Sequence, residues 1–292
     1  MKSIKMICLV AILGIIGCAP PEMDEIVVIS TPYGDMTAVL YDETPLHKAN
    51  FLKLAKGGMY DSVIFHRVIE NFMIQTGNLA TGKLESGVDY RIDAEFMPEK
   101  YIHEKGALAA ARIGDSDNPT KKSSGSQFYI VQGETYDDEG LKSRADRRHY
   151  LKVNGLFQRM LDSERYPELT EKYNYHVQKA QEDTAYDFQT AQRNLVYNSM
   201  DVIEKRFGDQ TDPGYPDFAK EIYATIGGTP HLDAEYTVFG KVVEGLAVID
   251  KIAAVETNRR DKPLSDVRME VKVVPMSKSE ITKKYGITYP KN

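Results

Sequence analysis

Between Glu168 and Phe207 the chain runs for 40 residues without Gly or Pro, and it is flanked on both sides by short runs of β-branched residues. Such a chain must suspend a sheet in order to make a helical excursion, then resume it. Within the stretch, Leu169, Tyr173, Val177, Ala180, Thr184, Phe188, Ala191, Leu195 and Val202 recur every three or four positions, apart from one wider gap. This predicts a single amphipathic helix of about 40 residues, about 60 Å long at 1.5 Å per residue. Pro167 suits its first turn and Gly208 its end. Its apolar stripe needs a partner, and Leu141 to Arg165 offers one through Ala145, Val153, Leu156, Phe157 and Met160. A third short helix is predicted from Pro216 to Gly227-Gly228. Residues 134–226 therefore read as a helical hairpin inserted into something else.

That something else is mainly β. Ile26–Thr31 and Asp35–Tyr41 are strand-like runs separated by the turn Pro32-Tyr33-Gly34. Further such runs span 63–68, 72–76, 107–111 and 127–132 before the helical stretch, and 237–244 and 267–276 after it. Two helices interrupt them, one ending at Gly57-Gly58 and one over 245–255. The order is that of a closed antiparallel barrel capped by two helices, which leaves no exposed strand edge.

Composition excludes several classes of function. With 37 basic against 43 acidic side chains the chain lacks the positive footprint that nucleic acid requires. The two cysteines, Cys8 and Cys18, both precede the β-rich part, so the body can form neither a disulfide nor a thiolate metal site. The six histidines show no HxxxH or HExxH pairing, and no metal is expected.

The N-terminus reads as an address. Lys2 and Lys5 precede the apolar run Met6–Gly17, which is too short to span a bilayer. The run ends in Ile15-Ile16-Gly17-Cys18, which resembles the bacterial lipoprotein signal. That resemblance implies a leader over 1–17, a lipidated Cys18 and a tether over 18–24. It also implies a membrane partner through the lipid anchor, and a location in the bacterial cell envelope, at the outer membrane on its periplasmic side.

Three blocks carry a second resemblance. Phe65-His66-Arg67-Val68-Ile69 is followed by Asn71-Phe72-Met73-Ile74-Gln75-Thr76-Gly77-Asn78; then come Ser124-Gly125-Ser126-Gln127-Phe128-Tyr129-Ile130 and Thr237-Val238-Phe239-Gly240-Lys241-Val242. In content, order and internal spacing they resemble the cyclophilins, the cyclosporin-binding family of peptidyl-prolyl cis-trans isomerases. The resemblance covers 25–133 and 227–275, one cyclophilin-like barrel domain, and leaves 276–292 as a C-terminal tail.

The activity this implies is rotation about X–Pro bonds, which needs no cofactor. The barrier of about 18–20 kcal/mol arises from amide conjugation, and a catalyst must bind the twisted amide more tightly than either planar isomer. By resemblance Arg67 is the catalytic residue, directing its guanidinium at the prolyl amide. Phe72, Met73, Tyr129 and Leu232 would form the apolar pocket. Gln75 and Gln127, with backbone groups around Ala111 and Arg112, would orient the peptide. His231 stands where many eukaryotic members have the Trp that binds cyclosporin, and Tyr236 where they have a pocket His, which implies weak cyclosporin binding. Tyr129 replaces a Phe and adds a hydroxyl that needs a partner if buried. His66 is read as structural, because the reaction transfers no proton.

The implied partners are proline-containing polypeptides exported from the cell. The alternative function is a cyclophilin-fold chaperone or binding module that holds clients on the helical insert with little or no turnover. Lys142, Arg144, Arg147, Arg148, Lys152 and Arg159 make the first insert helix basic, although the insert has 13 basic against 18 acidic residues. Two readings stand for this run: pairing with the acidic long helix, or contact with anionic lipid headgroups. The long stripe drifts from a strict heptad, so a monomer is expected.

Overall fold

The structure, a computed structural model, describes residues 21–82 and 88–289. The leader, Cys8 and Cys18 lie outside the described residues. The described residues form eleven strands: β1 (Met23–Thr31), β2 (Gly34–Leu40), β3 (Val63–Ile64), β4 (Arg67–Ile69), β5 (Met73–Thr76), β6 (Arg91–Ile92), β7 (Ala107–Ala110), β8 (Ser123–Ser124), β9 (Phe128–Val131), β10 (Val238–Glu244) and β11 (Arg268–Ser277). The helices are α1 (Pro45–Lys56), α2 (Asp138–Leu161), α3 (Pro167–Glu182), α4 (Phe188–Tyr197), α5 (Met200–Phe207), α6 (Asp217–Thr225), α7 (Leu246–Ala253) and α8 (Lys278–Tyr285).

Nine strands form one antiparallel sheet in the order β3-β11-β1-β2-β10-β7-β9-β5-β4. The expected closed barrel is an open, curled sheet. Its two edges, β3 and β4, are consecutive in the chain, yet among the described residues no ladder joins them. The reason lies in the two residues between: the Phe65 amide donates to Val267 at one edge and the His66 amide to Gln75 at the other. The strand expected over 63–68 is thereby split, and single bonds replace a ladder at the crossing.

Period-two alternation divides the strands between two faces. Val27, Ile29, Met36, Ala38, Val68, Ile74, Leu108 and Ile130 turn into the main core, where Phe51 and Leu54 of α1 and Ile249 and Ile252 of α7 cover them. The two expected capping helices are thus present. The tail packs onto the sheet over 276–289: Ser277 and Glu280 make a reciprocal capping box at the start of α8, and Ile281 closes over Ile26 and Val39 on the opposite face. At the other end, β1 begins inside the expected tether, with Met23 opposite Ser277.

The 40-residue helix is three helices. Asp183 leaves the helical region and accepts a hydrogen bond from the Ala185 amide at 2.9 Å, and Asp187 caps α4 by accepting from Thr190 at 3.0 Å. Short polar side chains that bond nearby amides compete with helix continuation, so a break occurs without Gly or Pro. A second break falls at Asn198-Ser199, where the Ser199 hydroxyl donates to the Leu195 carbonyl at 2.7 Å. The pieces fold against α2, and Val153, Phe157, Met160, Leu195, Val196 and Ile203 form a separate core. The third predicted helix is α6.

Both ends of this helical segment meet at one seam. A Cβ built on Gly133 would lie 2.3 Å from Gly228, and one on Gly228 would lie 2.2 Å from the His103 carbonyl. The Glu134 amide donates to Gly228 and the Gly228 amide to Glu134. Glycine is required on both sides because the backbones touch.

Candidate active site

A single cross-strand row carries the candidate chemistry. Arg67 pairs with Gln75 between β4 and β5, Gln75 with Tyr129 of β9, Tyr129 with Ala109 of β7, and Ala109 with Val238 of β10. Residues in register on neighbouring strands share a face, so spacings read along the chain become neighbours across the sheet. One row on, Ile69, Met73 and Val131 share the same face. Met73, Ala107, Ala109, Tyr129, Val131, Val238 and Leu232 form an apolar cluster distinct from the main core, with Phe72 and Tyr236 packed against it. The pocket residues expected from sequence are therefore brought together.

Arg67 stands at one end of the row with its side chain 43% exposed, and its Nε lies 3.5 Å from Oδ2 of Asp261. A tight turn aims the β4–β5 pair: the Phe72 amide donates to Ile69, Asn71 takes a left-handed φ of 62°, and its amide donates to the Gln132 side chain at 2.6 Å. Gln75 Nε2 donates to Gln127 Oε1 at 3.3 Å. A cavity of about 350 Å³ adjoins these two amides, bounded also by Tyr90, Ala111 and Arg112. Larger clefts of about 790 and 720 Å³ are lined wholly by the helical segment.

Ala111 has both main-chain groups engaged internally, its amide donating to Gln127 and its carbonyl accepting from Ser124. The Arg112 side chain, only 6% exposed, is a structural clamp: its Nε donates to the Glu235 carbonyl, it pairs with Asp115 and Glu235, and its guanidinium lies 4.6 Å from the Tyr236 ring centre. The Ala111 carbonyl keeps a second lone pair for a further donor.

Aromatic packing completes the walls. Tyr236 meets Tyr129 edge-on at 5.8 Å, and His231 stacks on Phe72 at 5.6 Å. Tyr129 is 4% exposed, and among the described residues its hydroxyl has no hydrogen-bond partner, contrary to the sequence expectation. Burial pushes its phenol well above the usual range. His66 is held below the ordinary imidazole value by burial, and the adjacent Arg67 charge acts the same way.

Sequence reasoning missed a buried network behind the pocket. The His103 ring stacks on Tyr129 at 6.1 Å, Asp233 Oδ1 receives the His103 amide and faces its Nδ1, both at 2.9 Å, and Tyr223 of α6 donates to Oδ2 at 2.6 Å. Asp261 was missed too. None of these four residues belongs to a recognisable motif, so the sequence carried no signal for them.

The family described as cyclophilin type peptidyl-prolyl cis-trans isomerase/CLD matches residues 26–151 and 217–273, more than half of the chain. The chain belongs to this cyclophilin-type family. Among curated relatives, a Streptococcus pyogenes protein named "Putative bifunctional phosphatase/peptidyl-prolyl cis-trans isomerase" is 33% identical over 84% of this chain, which spans only 37% of that protein's length. A Staphylococcus haemolyticus protein named "Putative peptidyl-prolyl cis-trans isomerase" is 30% identical over 84% of this chain and 88% of its own. A crystal structure of a Cryptosporidium parvum cyclophilin type peptidyl-prolyl cis-trans isomerase aligns over 87% of this chain and 98% of its own, at 19% identity and a TM-score of 0.48. The cyclophilin-type match leaves 152–216 unassigned, and that stretch contains α3, α4, α5 and the C-terminal part of α2.

Proposed function

We propose that this cyclophilin-type chain is a peptidyl-prolyl cis-trans isomerase. The observation that carries the reading is the row Arg67–Gln75–Tyr129, with a half-exposed cation at one end of a buried apolar face. The proline ring is held against Phe72, Met73, Leu232 and Tyr129, and the Gln75–Gln127 pair orients the flanking peptide. As the amide twists, its nitrogen lone pair localises, and the Arg67 guanidinium donates toward it. Each 1.4 kcal/mol by which the twisted form is favoured gives a tenfold acceleration, and a charge-assisted hydrogen bond supplies about twice a neutral one. No proton moves, in keeping with a neutral His66.

Exchange spectroscopy on an X–Pro peptide tests this. Wild type accelerates cis/trans interconversion and Arg67→Ala loses at least tenfold; equal rates would defeat the reading. The envelope address is part of the proposal and rests on the composition of the first 18 residues. With Cys18 acylated, the body would serve exported polypeptides beside a membrane. Metabolic labelling with a radioactive fatty acid, lost in Cys18→Ser, checks it.

A further inference from the structure

On the hairpin that carries Arg67, Met73 and Gln75, Phe72 is the one pocket-wall residue that lies in neither strand, since β4 ends at Ile69 and β5 starts at Met73. The ladder fixes Met73 opposite Val131 and stops there, so Phe72 must be held by other bonds. Those bonds converge on Gln132. Its amide donates to the Phe72 carbonyl at 3.0 Å, its side-chain Oε1 accepts from the Asn71 amide at 2.6 Å, and its Nε2 donates to Asp250 Oδ1 at 3.1 Å. Lys105 in turn donates to both carboxylate oxygens of Asp250, at 2.7 and 2.8 Å. Gly133 adds a second amide to the Phe72 carbonyl, also at 3.0 Å. The anchored turn residue, Asn71, has a left-handed φ of 62°, a sparsely populated conformation that these bonds hold in place.

Gln132 is 8% exposed and follows Val131, whose side chain belongs to the pocket cluster. Alternation turns Gln132 the other way, toward α7, the helix that covers the main core. It therefore reaches the turn from behind the pocket. We propose that Gln132 is a positioning residue for the reaction: through the Asn71 amide and the Phe72 carbonyl it sets where the Phe72 ring stands beside His231, and with it the width of the proline pocket. The proposal rests on the isomerase reading. A wall that holds the proline ring grips planar and twisted amides alike, so displacing it weakens binding without slowing the bound step. Arg67 is fixed separately, by its pairing with Gln75 and by Asp261.

The test uses the full chain and a labelled X–Pro peptide, with fluorescence anisotropy for Kd and exchange spectroscopy for KM and kcat. Gln132→Met removes both side-chain bonds at similar volume. Gln132→Asn keeps an amide but is one methylene too short to join Asn71 to Asp250, and it decides the matter should the Met variant not fold. Gln132→Glu keeps the reach and the acceptor for the Asn71 amide. The Met and Asn variants should raise Kd and KM at least about threefold with kcat within about twofold of wild type. The Glu variant should keep wild-type Kd and KM whatever its melting temperature. Kd and KM that stay fixed across the series, or that simply follow the melting temperature, overturn the proposal; so does a Glu variant as weak as the Asn variant. If wild type binds the peptide without turning it over, the isomerase reading fails while Kd still reads the anchor. If wild type binds no X–Pro peptide, both fail.

Discussion

The Nε of Arg67 lies 3.5 Å from Oδ2 of Asp261, and the same two neighbourhoods are joined through the main chain, where the Val68 amide donates to the Asp261 carbonyl at 2.7 Å. Asp261 holds a left-handed φ of 59°, a conformation that is unfavourable for most residues other than Gly, Asn and Asp. The carboxylate lies on the Nε side of the guanidinium, and among the described residues the terminal nitrogens have no ion-pair or hydrogen-bond partner. Asp261→Gly removes the carboxylate and relieves the backbone. We expect a melting temperature at least as high as wild type with isomerase activity reduced up to about fivefold, since an exposed ion pair contributes at most about 1 kcal/mol. Unchanged activity would show that Arg67 needs no such support.

Tyr129→Phe should stabilise the protein. The buried Tyr129 hydroxyl has no partner among the described residues, and an unsatisfied buried polar group costs about 1–3 kcal/mol. Chemical denaturation should show the variant to be more stable by about 1 kcal/mol, with isomerase activity retained because the ring remains. A loss of stability would mean that the hydroxyl is satisfied in solution.

Tyr223→Phe should destabilise. It removes a 2.6 Å hydrogen bond to the buried Asp233 carboxylate, and bonds to charged groups contribute about 1.5–3 kcal/mol. Because Asp233 also holds His103 beneath Tyr129, peptide KM should rise as well. A double-mutant cycle with Asp233→Asn should show strong non-additivity, and simple additivity would dissolve the network.

Acid should weaken the fold as pH falls below about 6.5. Burial lowers the His47 pKa despite Glu95 Oε2 at 2.6 Å, and His66 is lowered as well. A histidine whose folded pKa is depressed stays neutral while the unfolded chain takes up a proton near pH 6.5. The unfolded state then binds more protons, so stability is present above that pH and falls as pH drops. Melting temperatures at pH 7.5 and 5.5 check the sign, and a higher value at 5.5 would contradict it.

The sequence was most informative where local chemistry repeats with a period. Strand alternation showed the two faces of the sheet, and the residues that the family resemblance singled out, Arg67, Met73 and Gln75, share one of them, because a hairpin converts chain spacing into cross-strand neighbours. Helix content was legible but helix length was not: Asp183 and Asp187 end and restart helices by capping, and a count of Gly and Pro is blind to that. Open versus closed edges depended on where the Phe65 and His66 amides point, which no pattern encodes. Contacts such as Arg67 with Asp261, or Tyr223 with Asp233, join residues brought together only by the tertiary fold.

The Gly133–Gly228 seam makes the chain's departure and return a single doorway. Loop-closure cost grows only as the logarithm of length, so replacing a connection of roughly ten residues by the 93 of 134–226 adds only about 2 kcal/mol. The sheet is therefore nearly indifferent to the length of chain that passes through that opening. Segments of very different sizes fit there as long as the two glycines still meet and Tyr223 still reaches Asp233.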